Sequence, residues 1–357
     1  MSTQQSVIIQ SPHAPFMLAP GPIPSPAKGE VLIKVMSVAL NPANWIQREY
    51  DILIDKYPVV LGSDIAGVVE EIGEGVESFK KGDRVFAAAL AGGFQQYTTL
   101  PAAITIPIPG GTSFDEVATF PITFSTACVG LFAPAPIGLG LNPTFSWDKP
   151  QQGKSALVIG GGTSVGQFAI QLFRFLGFTR IVAYASKAHF EYLKQLGATK
   201  CIDRREVPVD SLSAHPAMSP AVDVVYDTGP VSSLNAAYDC VVEGGKLVAV
   251  QPRAHSERDL EQKKLTLVRV HGYYAGPDVI KFERDDVAGY AAVPEHTVFG
   301  KLLMKNLPEI LAKGAVVGNR YEVLPNGLAG ILEGLERLQK GGVSGVKLIA
   351  HPQDATA

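Results

Sequence analysis

Ala156-Leu157-Val158-Ile159 runs straight into Gly160-Gly161-Gly162-Thr163-Ser164-Val165-Gly166, and an amphipathic segment from Gln167 to Leu176 follows at once. A short apolar run closed by glycine reads as a buried strand, and the pattern after it predicts a helix over Val165–Leu176. Strand, glycine-rich turn and helix in that order make an anion cradle. Glycines let backbone amides approach a phosphate, and the helix N-terminus faces it with partial positive charge. Gly166 also lets the helix pack closely on the sheet. The strict GxGxxG template is not met, because Thr163 stands where the middle glycine would be. A turn built only for tightness would use the same glycines, so the neighbouring elements have to decide.

Those neighbours alternate. Ile181–Tyr184 reads as a strand, Ala188–Leu196 as a helix closed by Gly197, and Lys200–Ile202, Val222–Tyr226 and Lys246–Val250 as further strands. This alternation predicts βαβ units and a doubly wound parallel sheet of Rossmann type. In that setting the turn reads as a dinucleotide site, with Gly162, Thr163, Ser164, Val165 and Gly166 as binding residues. The first third of the chain is different. Val31–Leu40, Ile65–Ile72, Arg84–Ala89 and Phe94–Leu100 are short strand candidates, with a polar turn at Asn41-Pro42 and glycines between them. That texture suits a small, strongly bent sheet or barrel. A Pro-rich stretch, Ala133–Pro150, precedes the alternating part. Two helices, Gly300–Ala312 and Gly327–Gln339, and a strand, Lys347–Ala350, end the chain. The fold class expected is α/β.

The second strand of the alternating part ends at Ser186-Lys187, about twenty residues beyond Gly166. Sites that select NAD place a carboxylate near here for the ribose 2′-hydroxyl. No Asp or Glu lies between Arg180 and His189. A hydroxyl followed by an ammonium suits a 2′-phosphate instead, and Arg204, beyond the next strand, adds a two-pronged donor. Ser186 as a helix cap and Lys187 as a solvated side chain is the plainer reading, and the two coexist. The nucleotide expected is NADPH.

Composition narrows the class. The 357 residues, 46% hydrophobic and 18% charged, suffice for two domains with full cores. A net charge of -3, without basic clusters, argues against nucleic acid or an anionic membrane as partner. Cys128, Cys201 and Cys240 are isolated, so neither a disulfide framework nor a thiolate zinc site is supported. Cys128 reads as a small buried hydrophobe rather than a reactive thiol. Met1–Ser11 lacks signal-peptide features, and no apolar run reaches the roughly 18 residues of a membrane span. A soluble cytoplasmic setting is expected.

The residues now carry a resemblance over nearly the whole chain. Leu40-Asn41-Pro42 with Trp45, Gly62-Ser63-Asp64-Ile65-Ala66-Gly67-Val68-Val69, Gly82-Asp83-Arg84-Val85, Gly92-Gly93-Phe94-Gln95-Gln96-Tyr97 and Ser344-Gly345-Val346-Lys347-Leu348 occur in this order. Together they resemble the medium-chain dehydrogenase/reductase superfamily. The Gly-Gly-Thr-Ser-Val-Gly turn, the Pro-rich insertion before Trp147 and Tyr321–Leu328 look like its zinc-free quinone oxidoreductase and enoyl reductase branch, in particular fungal trans-acting, ToxD-like enoyl reductases. Zinc-dependent members carry Cys near position 41 and Gly-His-Glu where this chain has Gly62-Ser63-Asp64. The resemblance therefore implies no metal, and without a Lewis acid it favours reduction of a conjugated C=C bond or a quinone over alcohol oxidation. Two positions depart from the group: Ile46 follows Trp45 where a Lys is frequent, and Arg204 stands where Tyr is commoner.

What the resemblance implies about roles is specific. A GroES-like catalytic domain would span 1–126 and 295–357, and a Rossmann domain 127–294. Hydride would pass from NADPH to the β-carbon of an enone, enal or enoyl thioester, and a proton would then reach the α-carbon. Thr126 would contact the nicotinamide in a catalytic position, an ordinary helix hydroxyl bond being its alternative. Tyr50, in the loop before Gly62, is the candidate proton donor, with water as the alternative acid. Asn41, Trp45, Ile46, His189, Gln251, Pro252, Ser344, Gly345 and Lys347 complete the implied cofactor contacts. Tyr273–Pro277 and Phe299 belong to the expected substrate pocket, and Asp227 reads as a structural hydrogen-bonding group. Three readings stay open: a stand-alone alkene or quinone reductase, a trans-acting enoyl reductase serving a polyketide synthase, and a silent NADPH-binding protein. A monomer is expected over a homodimer, because the Pro-rich stretch stands in the way of sheet-edge pairing.

Overall fold

The computed structural model describes residues 2–251, 256–270 and 294–355. In chain order the elements are β1 (Thr3–Ile9), β2 (Met17–Pro22), β3 (Glu30–Ala39), α1 (Pro42–Tyr50), β4 (Val59–Val60), β5 (Asp64–Ile72), β6 (Arg84–Ala88), β7 (Tyr97–Pro101), β8 (Thr105–Pro107), α2 (Phe114–Ala118) and α3 (Pro121–Phe132). Then follow β9 (Ser155–Ile159), α4 (Ser164–Leu176), β10 (Arg180–Ala185), α5 (Phe190–Leu196), β11 (Lys200–Asp203), β12 (Val222–Asp227), α6 (Leu234–Cys240), β13 (Val241–Ala249) and β14 (Thr266–Arg269). The last are α7 (Pro294–Ala312), β15 (Tyr321–Val323), α8 (Leu328–Gln339) and β16 (Lys347–Ala350). They fall into two compact units. One holds β1 to α2 together with α7, β15, α8 and β16; the other begins at Thr123, holds β9 to β14 and includes Lys313–Val316.

The first unit contains a three-stranded sheet, β2-β1-β4, and a seven-stranded sheet in which β15-β16-β3-β5-β6-β8 are joined in that order and β7 pairs with β3. Its core collects Val31, Ile33, Val35 and Val38 of β3, Ile65 and Val69 of β5, and Ile331 and Leu335 of α8. β3 and β5 pair antiparallel with Val35 opposite Gly67 and an irregularity before Ser37. A Cβ at Gly67 would lie 2.1 Å from the Lys34 carbonyl oxygen, so this bent pairing requires glycine.

The second unit is a parallel sheet in the order β11-β10-β9-β12-β13-β14. Counted along the chain that is 3-2-1-4-5-6, the doubly wound order of dinucleotide-binding sheets. β9 lies at the centre with Ala156, Leu157, Val158 and Ile159 all buried, as a strand covered on both faces must be. The order reverses between β9 and β12, so the turn after Ile159 and the turn after Asp227 open side by side.

The helices α1 and α3 differ from expectation. Asn41-Pro42 is no free-standing turn: Asn41 is the N-cap of α1 and Pro42 its first residue. Asn and Pro suit a helix start as well as a turn, and proline's fixed φ is pre-set for the first helical position. Tyr50 consequently ends a helix instead of lying in a loop. Pro121–Phe132, to which no periodic pattern pointed, is a helix buried along its whole length. A helix covered on every side carries no amphipathic signal. Among the described residues, no helix is long and apolar enough to cross a membrane.

Candidate functional site

The turn after β9 is built as a cradle. Gly160 and Gly161 both donate their N–H to the Tyr184 carbonyl, at 3.0 and 3.1 Å, and Thr163 N–H closes the turn on Gly160 O at 2.9 Å. Gly160 has φ +76, and a Cβ there would meet Thr228 Oγ1 at 2.4 Å. A Cβ at Gly166 would meet Gly160 O at 2.3 Å, so α4 lies against the turn at a distance only glycine allows. Thr163, the residue that breaks the usual spacing, is the N-cap of α4: its Oγ1 accepts from Gly166 N–H at 3.0 Å and lies 2.9 Å from Thr228 Oγ1. Gln167 Nε2 donates to Gly162 O at 3.0 Å. Ser164 and Val165 form the first turn of α4, at the positive end of the helix. His189 borders the cradle, 3.0 Å from where a Gly162 Cβ would be.

The end of β10 brings together the residues expected to read the ribose. Arg204 Nε donates to Ser186 Oγ at 2.8 Å, and Arg204 N–H donates to Ala185 O at 3.0 Å. Ser186 precedes a short 3-10 turn, Lys187–His189, but makes no side-chain cap; its hydroxyl is engaged by the guanidinium instead. Lys187 Nζ lies 3.7 Å from Glu206 Oε1. Glu206 was not a candidate from the sequence, because the residues between Arg180 and His189 hold no acid and this one arrives from the turn after β11. Asp227, at the end of β12, accepts from Gly229 N–H and Ser233 Oγ, each at 2.8 Å. Burial pushes its carboxyl up to about 6, with Ser233 and Gly229 pulling it back. These bonds make it a structural group, as read from the sequence.

Thr126 is buried on α3, where Tyr226 OH donates to its carbonyl at 2.9 Å. Burial raises the Tyr226 phenol well above its ordinary range, which keeps it a donor. Cys128, on the same helix, is fully buried, and burial likewise pushes its thiol up. Gln251 is exposed just past the end of β13. Pro252 and Tyr273–Pro277 lie outside the described residues, whereas Phe299 is buried on α7.

The first unit contributes a buried polar network. Lys347 Nζ donates to Asn41 Oδ1 at 2.5 Å and pairs with Asp64 Oδ2 at 2.9 Å. Asn41 Nδ2 donates to Asp64 Oδ2 at 2.7 Å, and Ile122 N–H donates to Asp64 Oδ1 at 2.7 Å. Lys347, Asp64 and Asn41 are 3%, 0% and 2% exposed. The ion pair has hydrogen-bonding partners on each side, the condition for burying charge. Asn41 and Lys347 were candidates separately; that both close on Asp64 was not legible. Gly345, with φ +70, is buried just before β16, while Ser344 is exposed.

Helix geometry separates the remaining candidates on α1. At about 100° per residue, Ile46 and Tyr50 share one side and Trp45 and Arg48 another. Trp45 and Arg48 line a groove of about 300 Å³ with Phe16, Leu332, Leu335 and Glu336, against α8. Tyr50 is 55% exposed.

Residues 27–110 match the alcohol dehydrogenase GroES-like domain and residues 164–281 the zinc-binding dehydrogenase family. Dehydrogenase pigH of Monascus ruber is 33% identical over 98% of this chain and 99% of its own length. Trans-enoyl reductase tndF of Aspergillus flavipes is 32% identical, over 97% and 98%. This chain belongs to the medium-chain dehydrogenase/reductase superfamily. Its fold is that of an alcohol dehydrogenase superfamily protein from Novosphingobium aromaticivorans, with a TM-score of 0.75 at 26% identity, covering 97% of this chain and 99% of that one. The quinone oxidoreductase from Coxiella burnetii shares it, with a TM-score of 0.71 at 25% identity, covering 98% of this chain and 99% of that one. Within the superfamily the chain is enoyl reductase-like, an oxidoreductase that works with a nicotinamide cofactor.

The residues present fit that cofactor: the cradle at Gly160–Gly166 is one that Cβ atoms would fill. They do not fit the zinc of the matched family's name. A catalytic zinc takes three Cys, His or carboxylate ligands. Here the superfamily's metal positions hold Asn41, Ser63 and Asp64, and the Asp64 oxygens already bind an ammonium, an amide and a backbone N–H. Among the described residues no group of three His, Cys, Asp or Glu is placed to hold a metal.

Proposed function

We propose that this chain is an NADPH-dependent reductase of activated carbon–carbon double bonds in an enone, enal or enoyl thioester. The observation that carries the choice of nucleotide is the Arg204–Ser186 hydrogen bond of 2.8 Å at the end of β10, beside Lys187. A guanidinium, a hydroxyl and an ammonium suit a phosphate dianion, whereas a ribose 2′-hydroxyl calls for an acceptor. Gly162, Thr163, Ser164, Val165 and Gly166 would hold the diphosphate, and Ser186, Lys187 and Arg204 the 2′-phosphate. Thr126, Gln251, Ser344, Gly345, Lys347 and Asn41 are put forward for the nicotinamide half, with residues 1–126 and 295–357 as the catalytic domain and 127–294 as the cofactor domain. The cofactor, when bound, supplies a hydride for the β-carbon. Support for the alkene comes from the relatives named trans-enoyl reductases and from a donor set unsuited to a zinc alkoxide.

The α-carbon then needs a proton. Tyr50, exposed at the C-terminal end of α1, is the residue assigned to deliver it. Tyr50→Phe should cut turnover on an enone about tenfold or more while leaving cofactor affinity unchanged; full turnover would hand the role to water. The cofactor assignment has its own check. Lys187→Ala with Arg204→Ala should lower the preference for NADPH over NADH by about a hundredfold or more, the two charge-assisted contacts contributing about 1.5–3 kcal/mol each. An unchanged ratio in steady-state kinetics would remove these residues from the site.

A second reading is favoured by the names of the relatives in Aspergillus and Gibberella: the acyl chain is presented by a polyketide synthase and reduced in trans. Faster reduction of an enoyl chain on a carrier domain than of the same chain on a small thiol would support it. A monomer is the proposed state, testable by light scattering.

A further inference from the structure

Beside the residues proposed for the 2′-phosphate, at the end of β10, stands a carboxylate that opposes that ligand. β11 runs parallel to β10 with Asp203 opposite Ala185, and the chain then turns sharply, with the N–H groups of Glu206 and Val207 donating to Asp203 O at 3.1 and 2.9 Å. That single turn places the Arg204 guanidinium on Ser186 and, two residues later, the Glu206 carboxylate 3.7 Å from Lys187 Nζ. The other acid of the turn is committed to its shape: buried Asp203 accepts the Arg205 N–H at 2.9 Å. Among the described residues the Glu206 carboxylate has Lys187 as its partner and holds no part of the backbone in place.

We infer that Glu206 is a specificity-determining residue: it competes with the cofactor's 2′-phosphate for Lys187 and thereby sets how tightly the phosphorylated nucleotide is held. This rests on the NADPH reading above. The side chains of the pair are 72% and 69% exposed, so the contact is weak and readily exchanged for a phosphate dianion. After the exchange, the displaced carboxylate stays tethered to the same turn, close enough to a doubly negative group to repel it. A neutral 2′-hydroxyl meets no such repulsion. Glu206 therefore narrows the advantage of NADPH over NADH and hastens departure of the spent nucleotide.

The test is titration of the full chain with NADPH and with NADH, followed by calorimetry, for wild type, Glu206→Gln, Lys187→Ala and the variant carrying both substitutions. Glu206→Gln should lower the NADPH dissociation constant about twofold to tenfold, change that for NADH by less than about twofold, and lose its effect as salt is raised. In the Lys187→Ala background the gain should be smaller. 2′,5′-ADP against 5′-AMP should show the same contrast, which places the effect at the phosphate. An unchanged NADPH constant overturns the inference, and so does an equal shift for both cofactors, because a general effect on the turn would move both. A wild-type chain that binds NADH as tightly as NADPH overturns the underlying cofactor assignment instead.

Discussion

Lys347 carries its charge where water is almost excluded, and three groups make that tolerable: the Asp64 carboxylate beside it, the Asn41 carbonyl that accepts from it, and the Ile122 N–H that holds the other Asp64 oxygen. Removing one partner of a buried pair costs more than the pair itself contributes, because the remaining charge stays buried. Lys347→Met should therefore destabilise the first unit by about 3–5 kcal/mol, and adding Asp64→Asn should recover part of that loss. Urea midpoints of the two variants against wild type check this; a loss below about 1 kcal/mol for Lys347→Met would show that the network carries little of the stability. At this scale the sequence was partly legible. Ser186, Lys187 and Arg204 were nameable because the end of a strand and the start of the next turn are local features. The Asn41–Lys347 bond spans 306 positions, and nothing in either segment alone indicates it. Glu206 shares a turn with Arg204, but which side chain of that turn reaches Lys187 is set by the path of the turn and not by sequence spacing.

The turn between β9 and α4 depends on how closely the helix can lie. With Gly160 O only 2.3 Å from a Cβ at Gly166, Gly166→Ala has to push α4 outward. Overpacking of this kind costs about 1–3 kcal/mol, and the displaced helix end should weaken NADPH binding about tenfold, equivalent to about 1.4 kcal/mol. Gly110→Ala serves as a control, since a methyl group there meets nothing within 4 Å. Thermal melts and NADPH titrations of both variants read the result; wild-type behaviour of Gly166→Ala would mean that the turn tolerates a wider spacing than its geometry implies. Elements with a strong period or a marked boundary were legible to within a residue or two: β9, α4 and α8 meet glycine at their bounds, and β10 and β12 are largely apolar runs that stop at polar residues. Elements without such signals were not. α3 is covered on all sides and shows no polar face, and the start of α1 uses an Asn-Pro pair that serves turns equally well.

For the whole molecule, alternation of strands and helices implied a parallel sheet but not its order. The order β11-β10-β9-β12-β13-β14 is set by which strands pair in space, and it puts the Gly160 and Thr228 turns together at the reversal point. Neither the glycine-rich turn nor the sheet specifies the acceptor of the hydride, since one fold serves many chemistries. The reaction is best followed through the transferred atom itself. The chain, given NADPH deuterated at the transferring C4 position, is incubated in turn with an enone, an enal, an enoyl thioester and a quinone, and the products are read by mass spectrometry and NMR. The expected result is a saturated product with deuterium at its β-carbon, formed faster with NADPH than with NADH. Deuterium on a carbonyl carbon with the double bond intact, consumption of cofactor by the quinone alone, or no consumption with any acceptor would contradict it.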